Sequence, residues 1–212
     1  MTQTVQTDLF TVIRERQSIR TYDPNVSISQ EELTAMLEEA TLAPSSSNLQ
    51  PWRFIVVNDP EVKARLHPIA NNQQQVLDSA ATVIILGDKE AYKRADEIYD
   101  LAVQAGMPQA SRDAYVPRMK EYYAKMSEDT ARSVALIDGG LVSMQLMLVA
   151  KARGYDSVPM GGFSHEKLIE EFQIPSHLVP VMLISIGKAS GAGLPKARLP
   201  IGQVTYWNKL EQ

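Results

Sequence analysis

The sequence contains no cysteine in its 212 residues. Disulfides, thiolate metal ligands and a cysteine nucleophile are therefore excluded together, and this composition fits a reducing compartment. Histidine is also scarce. His67, His165 and His177 are the only three in the sequence, and they show no metal-ligand spacing such as HExxH. We expect structural roles for these histidines and no metal site.

Several functional motifs are missing as well. The sequence has no GxGxxG or GxxxxGK[ST] phosphate loop and no GxSxG nucleophile elbow. It shows no export signal at its beginning, and no apolar run near the roughly 20 residues that cross a bilayer. Lys and Arg total 21 against 25 Asp and Glu, a net charge of −4. We therefore expect a cytoplasmic protein with no nucleic-acid or membrane partner, in which any anion site is local.

The overall amino-acid composition is typical of a globular protein. Hydrophobic residues make up 44% and charged residues 22% of the chain, which is long enough for one sizeable core. No internal repeat and no low-complexity linker divides the sequence. Residues 1–212 are therefore predicted to form a single domain.

Apolar residues at helical spacing predict several helices. One covers residues 8–16, and a capping box of Ser29 and Glu32 opens the next. Residues 89–126 are charged and rich in tyrosine, and they suggest two or three partly exposed helices. Over 130–153, apolar side chains occur on nearly every face, which indicates a helix covered on all sides, in part by a dimer partner. Two shorter helices are predicted, one from Pro60 to Leu66 and one opened by Ser164.

Short apolar and β-branched runs predict the strands. These are "RFIVVN" from Arg53, "ATVIILGD" closed by Gly87, and "VPVMLISIG" closed by Gly187. The passage "YDSVPMGGF" after Gly154 is interpreted as turn-rich. Two or three strands among many helices predict an α+β fold with a small central sheet and helices on both faces.

Two clusters of cationic residues suggest an anion site, and each has an ordinary alternative. "RERQSIRTYD" groups Arg14, Arg16 and Arg20, whose forked guanidinium donors suit a phosphate or a developing anion. A solvated charged face would give the same run of residues. "LPKARLP" places Lys196 and Arg198 between prolines, and could equally be a basic surface loop.

Two further segments suggest a ligand cradle. "LAPSSSNLQPWRF" gathers hydroxyls and amides that could face a ligand, or that could satisfy the backbone of their own turn. In "PMGGF", two glycines allow the backbone to lie against a ligand and to point N–H groups at it. A tight connection before the next helix would also explain these glycines.

Together these segments resemble the flavin-dependent nitroreductases. The motifs that carry the resemblance occur in the family's order and span almost the whole chain: "RQSIRTYD", "APSSSNLQPWRF", "NNQQQVLDSA", "GYDSVPMGGF" and "LPKARLP". The resemblance is weakest over 89–128. It implies an α+β, three-layer α-β-α sandwich with a small central mixed sheet. It also implies an intertwined homodimer that holds two FMN molecules at the subunit interface.

The resemblance also implies roles for individual residues. The FMN phosphate and ribityl chain would be held by Arg16, Gln17, Ser18, Lys196 and Arg198, while Arg20 would lie near the pyrimidine edge of the flavin. The flavin wall contributed by the other subunit would comprise Pro44, Ser45, Ser46, Ser47, Asn48 and Gln50, with Trp52 beneath it. The remaining contacts to the isoalloxazine would come from Asn72, Gln75, Pro159, Met160, Gly161 and Gly162.

Near N5 of the flavin, the backbone of Gly161 and Gly162 is the expected neighbour. Several relatives carry a carboxylate where Gly161 stands and a lysine where Gln75 stands, so flavin potential and substrate preference do not transfer. An aromatic wall over the flavin could come from Tyr115, Tyr122 and Tyr123, although helix packing would explain each of these tyrosines as well.

The implied reaction is a ping-pong hydride transfer. NADH or NADPH would reduce FMN, and a nitroaromatic, quinone or related small-molecule acceptor would then reoxidise it, with no side-chain nucleophile. One alternative is a non-catalytic FMN-binding redox sensor or flavin store, which would need the same cofactor contacts. A third interpretation is that the clusters are solvated loops and that no flavin binds.

Overall fold

The computed structural model of the protein describes residues 8–210, and its centre is a four-stranded sheet. The strands lie in the order β1-β2-β4-β3. Their bounds are β1 (Trp52–Val57), β2 (Ala81–Asp88), β3 (Asp156–Met160) and β4 (Leu178–Gly187). The two central strands, β2 and β4, carry most of the buried side chains of the sheet.

The pairing of these strands corrects one detail of the sequence prediction, which was a mixed sheet. All three strand pairs are antiparallel. Within residues 8–210 the parallel pairing is limited to a single bridge between Ser18 and Ser157, on the side of β3 that faces away from β4. Continuous apolar runs are typical of parallel strands because helices cover such sheets on both faces. Here helices cover both faces of an antiparallel sheet, so both faces of its central strands are buried and their sequences are also continuous apolar runs.

Strand β3 was not predicted, because its sequence "DSVPM" contains residues that favour turns. It lies at an edge of the sheet, and among the described strands its one partner is β4, where Pro159 stands opposite Ile184. Proline is tolerated in edge strands because one side of such a strand needs no ladder hydrogen bond. Pairing with a long buried strand therefore outweighs the local preference of this segment.

Eight α-helices surround the sheet in the part of the chain described. They are α1 (Leu9–Glu15), α2 (Gln30–Ala40), α3 (Pro60–Ile69), α4 (Gln75–Asp78), α5 (Ala95–Gln104), α6 (Gln109–Ala124), α7 (Glu128–Ala152) and α8 (His165–Glu171). The predicted caps are confirmed, since the hydroxyls of Ser29 and Ser164 accept from backbone N–H groups of the first turn. Helix α3 was expected to end at Leu66 but continues through Pro68 to Ile69. A proline in the last turn removes only one helical hydrogen bond.

The helices form two layers, one on each face of the sheet. On one face α2 and α7 pack against β2 through a cluster that includes Met36, Val83 and Leu146. On the other face α3 and α8 form a second cluster that includes Leu66 and Leu168. The predicted α+β class with a three-layer arrangement is thereby confirmed.

Helix α7 is the longest helix and is only partly covered by its own chain. Its 25 residues include a window with a mean hydropathy of 1.7, so by length and composition alone it could cross a bilayer, contrary to the sequence interpretation. Of that window, 44% is buried against the sheet and α2, as in the core helix of a globular protein. Ile137, Leu141 and Met144 nevertheless form an exposed apolar stripe at helical spacing, with Ile137 63% exposed.

The segment after β4 has almost no regular structure. Over 188–210 the described chain forms one short 3₁₀ turn, Ile201–Gln203, and exposes large apolar side chains. Leu194, Leu199 and Ile201 are exposed, and Trp207 is 85% exposed. A tail this apolar has no core of its own to join.

Helix α8 ends in a left-handed turn at Gln173, whose φ is 48°. The N–H of Ile174 donates to the carbonyl of Ile169 at 3.0 Å, and the N–H of Gln173 donates to that of Glu170 at 3.3 Å. This pair of bonds is the Schellman motif, which glycine usually completes because it has no Cβ to clash. Gln173 therefore holds a strained backbone conformation at the surface.

Candidate active site

Three cationic side chains from the two ends of the chain lie together. Arg16 follows α1 directly, and the ammonium group of Lys196 donates to the carbonyl of Arg14. Burial lowers the pKa of Arg16, and the nearby charge of Arg198 lowers that pKa further. Partial desolvation lowers the pKa of Lys196, with added repulsion from Arg16 and Arg198. Within residues 8–210, none of these three cations forms a salt bridge with a carboxylate.

The backbone between Arg16 and Tyr22 holds this cation cluster against the edge of the sheet. Ser18 bridges to Ser157 of β3, and the N–H of Ile19 donates to the carbonyl of Ser157 at 3.1 Å. The C-terminal tail crosses the same place. A Cβ added to Gly193 would lie 2.7 Å from the side chain of Gln17, so glycine permits this close passage. Arg20 is exposed on the same segment.

The glycine turn after β3 meets the amide-rich run before α4. The carbonyl of Gly162 accepts from the side-chain amide of Asn71 at 2.9 Å and from that of Gln73 at 3.0 Å. The amide of Gln75, a buried residue, donates in turn to Gln73 at 2.9 Å. Sequence reasoning named Asn72 and Gln75 and missed Asn71 and Gln73, although all four lie in the run "NNQQQ".

Gly161 leaves free space and free donors at this turn. A Cβ built on Gly161 would meet no atom within 4 Å. The carbonyls of Gly161 and Gly162 both accept hydrogen bonds, whereas no backbone carbonyl of the described residues accepts from either N–H. Pro159 and Met160 complete β3 between this turn and Ser157. The rise of a strand puts Gly161 about 13 Å from Ser157, along the same sheet edge as the cation cluster.

The serine-rich segment forms a tight loop before β1, which we call the serine loop (Pro44–Gln50). Three of its residues have left-handed backbone angles, with φ values of 49° at Ser47, 50° at Asn48 and 48° at Gln50. Such angles are uncommon outside glycine and require support from the surroundings. Part of that support is local, since the hydroxyl of Ser45 accepts from the N–H of Gln50 at 3.0 Å. The exposed Pro44 begins the loop.

The strongest support for the serine loop comes from α7. Both carboxylate oxygens of Asp138 accept from the backbone N–H of Ser46, at 3.1 and 3.0 Å, and one also accepts from its hydroxyl at 3.1 Å. Asp138 is 1% exposed, and burial raises the pKa of its carboxyl group although the bonds from Ser46 oppose that shift. Sequence reasoning missed Asp138. The available signal was a lone carboxylate in the apolar run of α7.

Three tyrosine hydroxyls hold Ser47 from the other side. Tyr99 donates to its carbonyl at 3.0 Å, while Tyr115 and Tyr123 donate to its hydroxyl oxygen at 3.3 and 3.2 Å. Burial raises the pKa of Tyr99 to about 12 and also raises that of Tyr123, so both remain protonated donors near neutral pH. Tyr122 is exposed and packs edge-on against Tyr123.

The predicted site residues therefore form two groups at opposite corners of one sheet. The serine loop enters β1 at Trp52, which is buried and pairs with Gly87, next to Val179 of β4. The cation cluster lies at Ser157, which pairs with Ile186 of β4. These corners are about 23 Å apart along the strands and about 14 Å apart across the sheet. One chain does not bring the two groups together.

Comparison with known proteins identifies the family of this chain. A family model described as "Nitroreductase family" matches residues 13–188. The chain belongs to the nitroreductase family. Membership confirms the resemblance found in the sequence motifs, and with it the expectation that the chain is an oxidoreductase.

Individual nitroreductase relatives are similar over nearly their whole length. YdgI of Bacillus subtilis strain 168, which bears the name of an NAD(P)H nitroreductase, is 47% identical over 203 residues, or 94% of this chain and 97% of YdgI. An enone reductase of conjugated linoleic acid biosynthesis from Lactiplantibacillus plantarum is 37% identical, over 92% of this chain and 91% of its own. A crystal structure from Exiguobacterium sibiricum, described as a nitroreductase in complex with FMN, has a TM-score of 0.92 at 50% identity, over 95% and 98% of the two chains.

Proposed function

We propose that this nitroreductase is an FMN-dependent oxidoreductase that uses NADH or NADPH to reduce small-molecule acceptors. The observation that carries the proposal is the cation cluster. Arg16, Lys196 and Arg198 repel one another, and in the described chain no carboxylate pairs with them. Such a cluster is stabilised by an anion, and a phosphate monoester supplies the two negative charges and the acceptor oxygens that suit it.

The rest of the sheet edge fits the other parts of FMN. Ser18 and Gln17 lie beside the cations, at the position for the ribityl chain. The N–H groups of Gly161 and Gly162, which have no backbone partner in the described chain, suit the N5 side of a flat ring, and a Cβ built on Gly161 would meet no atom within 4 Å. Asn72 is exposed on the amide-rich run, and the amides of Gln75 and Gln73 fix the orientation of that turn. When bound, FMN supplies hydride acceptance and donation at N5.

The proposed functional unit is a homodimer with two FMN sites. A single chain places the serine loop and the cation cluster at opposite corners of its sheet, so a second copy has to supply the serine loop to the flavin. The exposed apolar stripe of α7 and the apolar C-terminal tail offer the surface that such a dimer needs. A two-fold arrangement makes both sites equivalent.

The proposed cycle is ping-pong: the nicotinamide reduces the flavin and leaves, and the acceptor then occupies the same position. Besides the cation cluster, the site offers backbone amides, hydroxyls and amide side chains, whose proposed role is to orient and hydrogen-bond the flavin and the acceptor. Nitroaromatics and quinones are the acceptors to test first, and the enone reductase among the relatives adds α,β-unsaturated ketones. A cytoplasmic location, where NADH and NADPH are available, completes the proposal.

Two measurements on the purified protein test this function. We expect a yellow protein with about one FMN per chain, as equivalent interface sites require. We also expect NADH or NADPH to bleach the oxidised flavin band rapidly under anaerobic conditions, and an added acceptor to restore it. Bound flavin that no nicotinamide bleaches would favour the alternative of a sensor or flavin store. A colourless protein that takes up no FMN would refute the cofactor assignment.

A further inference from the structure

An open cleft of about 380 Å³ lies between the serine loop and α6. Its lining consists of Ser47, Tyr115, Arg118, Met119, Tyr122 and Tyr123. This volume lies in the range of small-molecule sites, and the lining combines aromatic surface with a few polar groups, as such sites do. The cleft is next to the wall that the serine loop would present to the flavin, so a bound molecule would lie beside the cofactor.

Ser47 places one hydrogen-bond donor in this cleft. A serine hydroxyl has one hydrogen to donate and two lone pairs that accept. Here the hydroxyls of Tyr115 and Tyr123 both donate to the Ser47 oxygen, at 3.3 and 3.2 Å, and so use both lone pairs. Within residues 8–210, the Ser47 hydroxyl does not donate a hydrogen bond to any acceptor. Ser47 can therefore donate to an oxygen atom of a ligand.

Arg118 places an uncompensated positive charge at the same cleft. Its Nε donates to the carbonyl of Ala114 in its own helix, and the described residues offer its two terminal nitrogens no carboxylate. The other charged side chains of α6 all have partners: Arg112 with Asp96 and Asp100, Asp113 with Gln109, Lys120 with Asp96, and Glu121 with Lys125. In a chain with a net charge of −4, an arginine left unpaired at a cleft is a candidate anion contact.

We propose that this cleft binds the electron acceptor and selects acceptors that carry a carboxylate. Arg118 binds the carboxylate, the tyrosine rings contact the apolar body of the molecule, and Ser47 donates to the nitro or carbonyl oxygen of its reducible end. The inference rests on the proposed function and adds its substrate class. The phosphates of a nicotinamide dinucleotide are a second source of negative charge for Arg118, and the experiment has to distinguish the two.

The first test is equilibrium binding to the oxidised holoprotein, without nicotinamide. Calorimetric titration compares 4-nitrobenzoate with 4-nitrobenzamide, which has the same shape but no charge. We expect the carboxylate to bind about tenfold more tightly, the effect of one charge-assisted hydrogen bond. Arg118→Gln should abolish this preference and leave the affinity for the amide unchanged. Arg94→Gln is the matched control, because Arg94 pairs with Glu97 and does not line the cleft.

The second test separates the two half-reactions by anaerobic stopped flow. We expect Arg118→Gln to slow reoxidation of the reduced flavin by 4-nitrobenzoate, through weaker binding, and to leave reduction by NADH and NADPH unchanged. A variant impaired only in reduction by the nicotinamides would assign Arg118 to the dinucleotide phosphate and overturn the inference. Equal affinities of the two nitro compounds for the wild type, or a preference that survives in Arg118→Gln, would overturn it as well.

The binding test also keeps this inference separate from the proposed function. Absence of flavin reduction by either nicotinamide would refute the proposed function, whereas the preference for the carboxylate ligand is measured without turnover. Ser47→Ala, titrated with added FMN to keep the flavin sites filled, provides a further check on the cleft, since it should weaken binding of both nitro compounds equally and leave their ratio intact. A change in that ratio would contradict the separate roles given to Ser47 and Arg118.

Discussion

The backbone N–H and the hydroxyl of Ser46 both donate to the buried carboxylate of Asp138, which lies 92 residues further along the chain. This contact fixes the serine loop to the longest helix of the protein. The next residue of the loop, Ser47, has a left-handed backbone angle that its side-chain type does not favour. Asp138 therefore stabilises a loop conformation that local sequence preferences would not select.

A first prediction concerns the pH dependence of stability. Burial raises the pKa of Asp138 in the folded protein, so the folded state binds this proton more tightly than the unfolded chain does. The corresponding stabilisation is fully present below the unfolded pKa and is lost as pH rises through the folded pKa. Asparagine does not titrate. We expect the free energy of unfolding of the wild type, relative to Asp138→Asn, to fall in urea titrations as pH rises above about 4, the ordinary pKa of an aspartate in the unfolded chain.

A matched substitution with the opposite sign controls this measurement. The hydrogen bond from the Thr11 side chain and those from the first turn of α1 lower the pKa of Asp8. Its stabilisation is present above the unfolded pKa and is lost as pH falls. The wild type should therefore gain stability relative to Asp8→Asn as pH rises to about 4, and should keep that gain at higher pH, where the contribution of Asp138 declines. Parallel trends for the two variants would contradict the assignment for Asp138.

A second prediction tests the phosphate site. Arg198→Ala removes one cation of the cluster, and we expect FMN to bind about ten- to a hundredfold more weakly, the loss typical of one charge-assisted contact. Fluorescence titration of the flavin-free protein measures this affinity. Arg65→Ala is the control, because Arg65 pairs with Glu171 on α8, outside the cation cluster. Equal FMN affinity of Arg198→Ala and the wild type would remove Arg198 from the site.

A third prediction concerns the dimer. Ile137 is 63% exposed on the apolar stripe of α7, and Ile137→Asp would place an unpaired charge in the proposed interface. We expect this variant to elute as a monomer in size-exclusion chromatography and to lose FMN, because the second copy supplies the serine loop. Ile169→Asp makes the same change at a partly exposed position on α8 and should leave the dimer intact. A monomer that retained FMN would contradict a shared site.

A fourth prediction uses mixed dimers to test the two corners of the sheet. One variant combines Arg16→Ala with Arg198→Ala, and the other carries Ser46→Ala with Ser47→Ala. Each homodimer should bind FMN weakly at both sites. Coexpressed and purified through two different affinity tags, a mixed dimer has one intact site, because one chain retains the cations and the other retains the serine loop. We expect it to hold about one FMN per dimer. No recovery in the mixed dimer would mean that each site is built from one chain.

A fifth prediction concerns backbone strain away from the site. Gln173 has a φ of 48° in the Schellman turn that ends α8. Gln173→Gly removes the clash of Cβ, and we expect a gain of about 0.5–1 kcal/mol in the free energy of unfolding after the entropy cost of glycine. Gln173→Ala keeps a Cβ and should bring no such gain. Urea denaturation compares the three proteins, and equal stability of the glycine and alanine variants would refute the strain.

Sequence reasoning succeeded where a short-range rule decides the structure. The cap at Ser29 is such a case, since its hydroxyl accepts from the N–H of Glu32 three residues on. The strand Ala81–Asp88 is another, because its run of seven apolar or small residues, closed by Gly87, favours a buried strand. The cationic and glycine clusters were found for the same reason, as each is a local concentration of one chemistry.

The remaining features depend on contacts that are distant in sequence. Strand β3 forms because Asp156–Met160 pairs with β4, and the residues around Pro159 contain no local signal that predicts this pairing. Asp138 and Ser46 meet only once α7 packs under the serine loop. Asn71 and Gln73 were passed over because five amides in a row look equivalent until the fold turns two of them toward Gly162. Placement of the two site groups at opposite corners likewise required the strand order.

The separation of those corners has a consequence for inheritance and for engineering. In the proposed dimer each catalytic centre combines residues from two polypeptides, so an allele altered at either corner damages half of the centres in every mixed assembly it enters. A library built by varying the serine loop alone would in effect be redesigning the neighbouring molecule's flavin pocket.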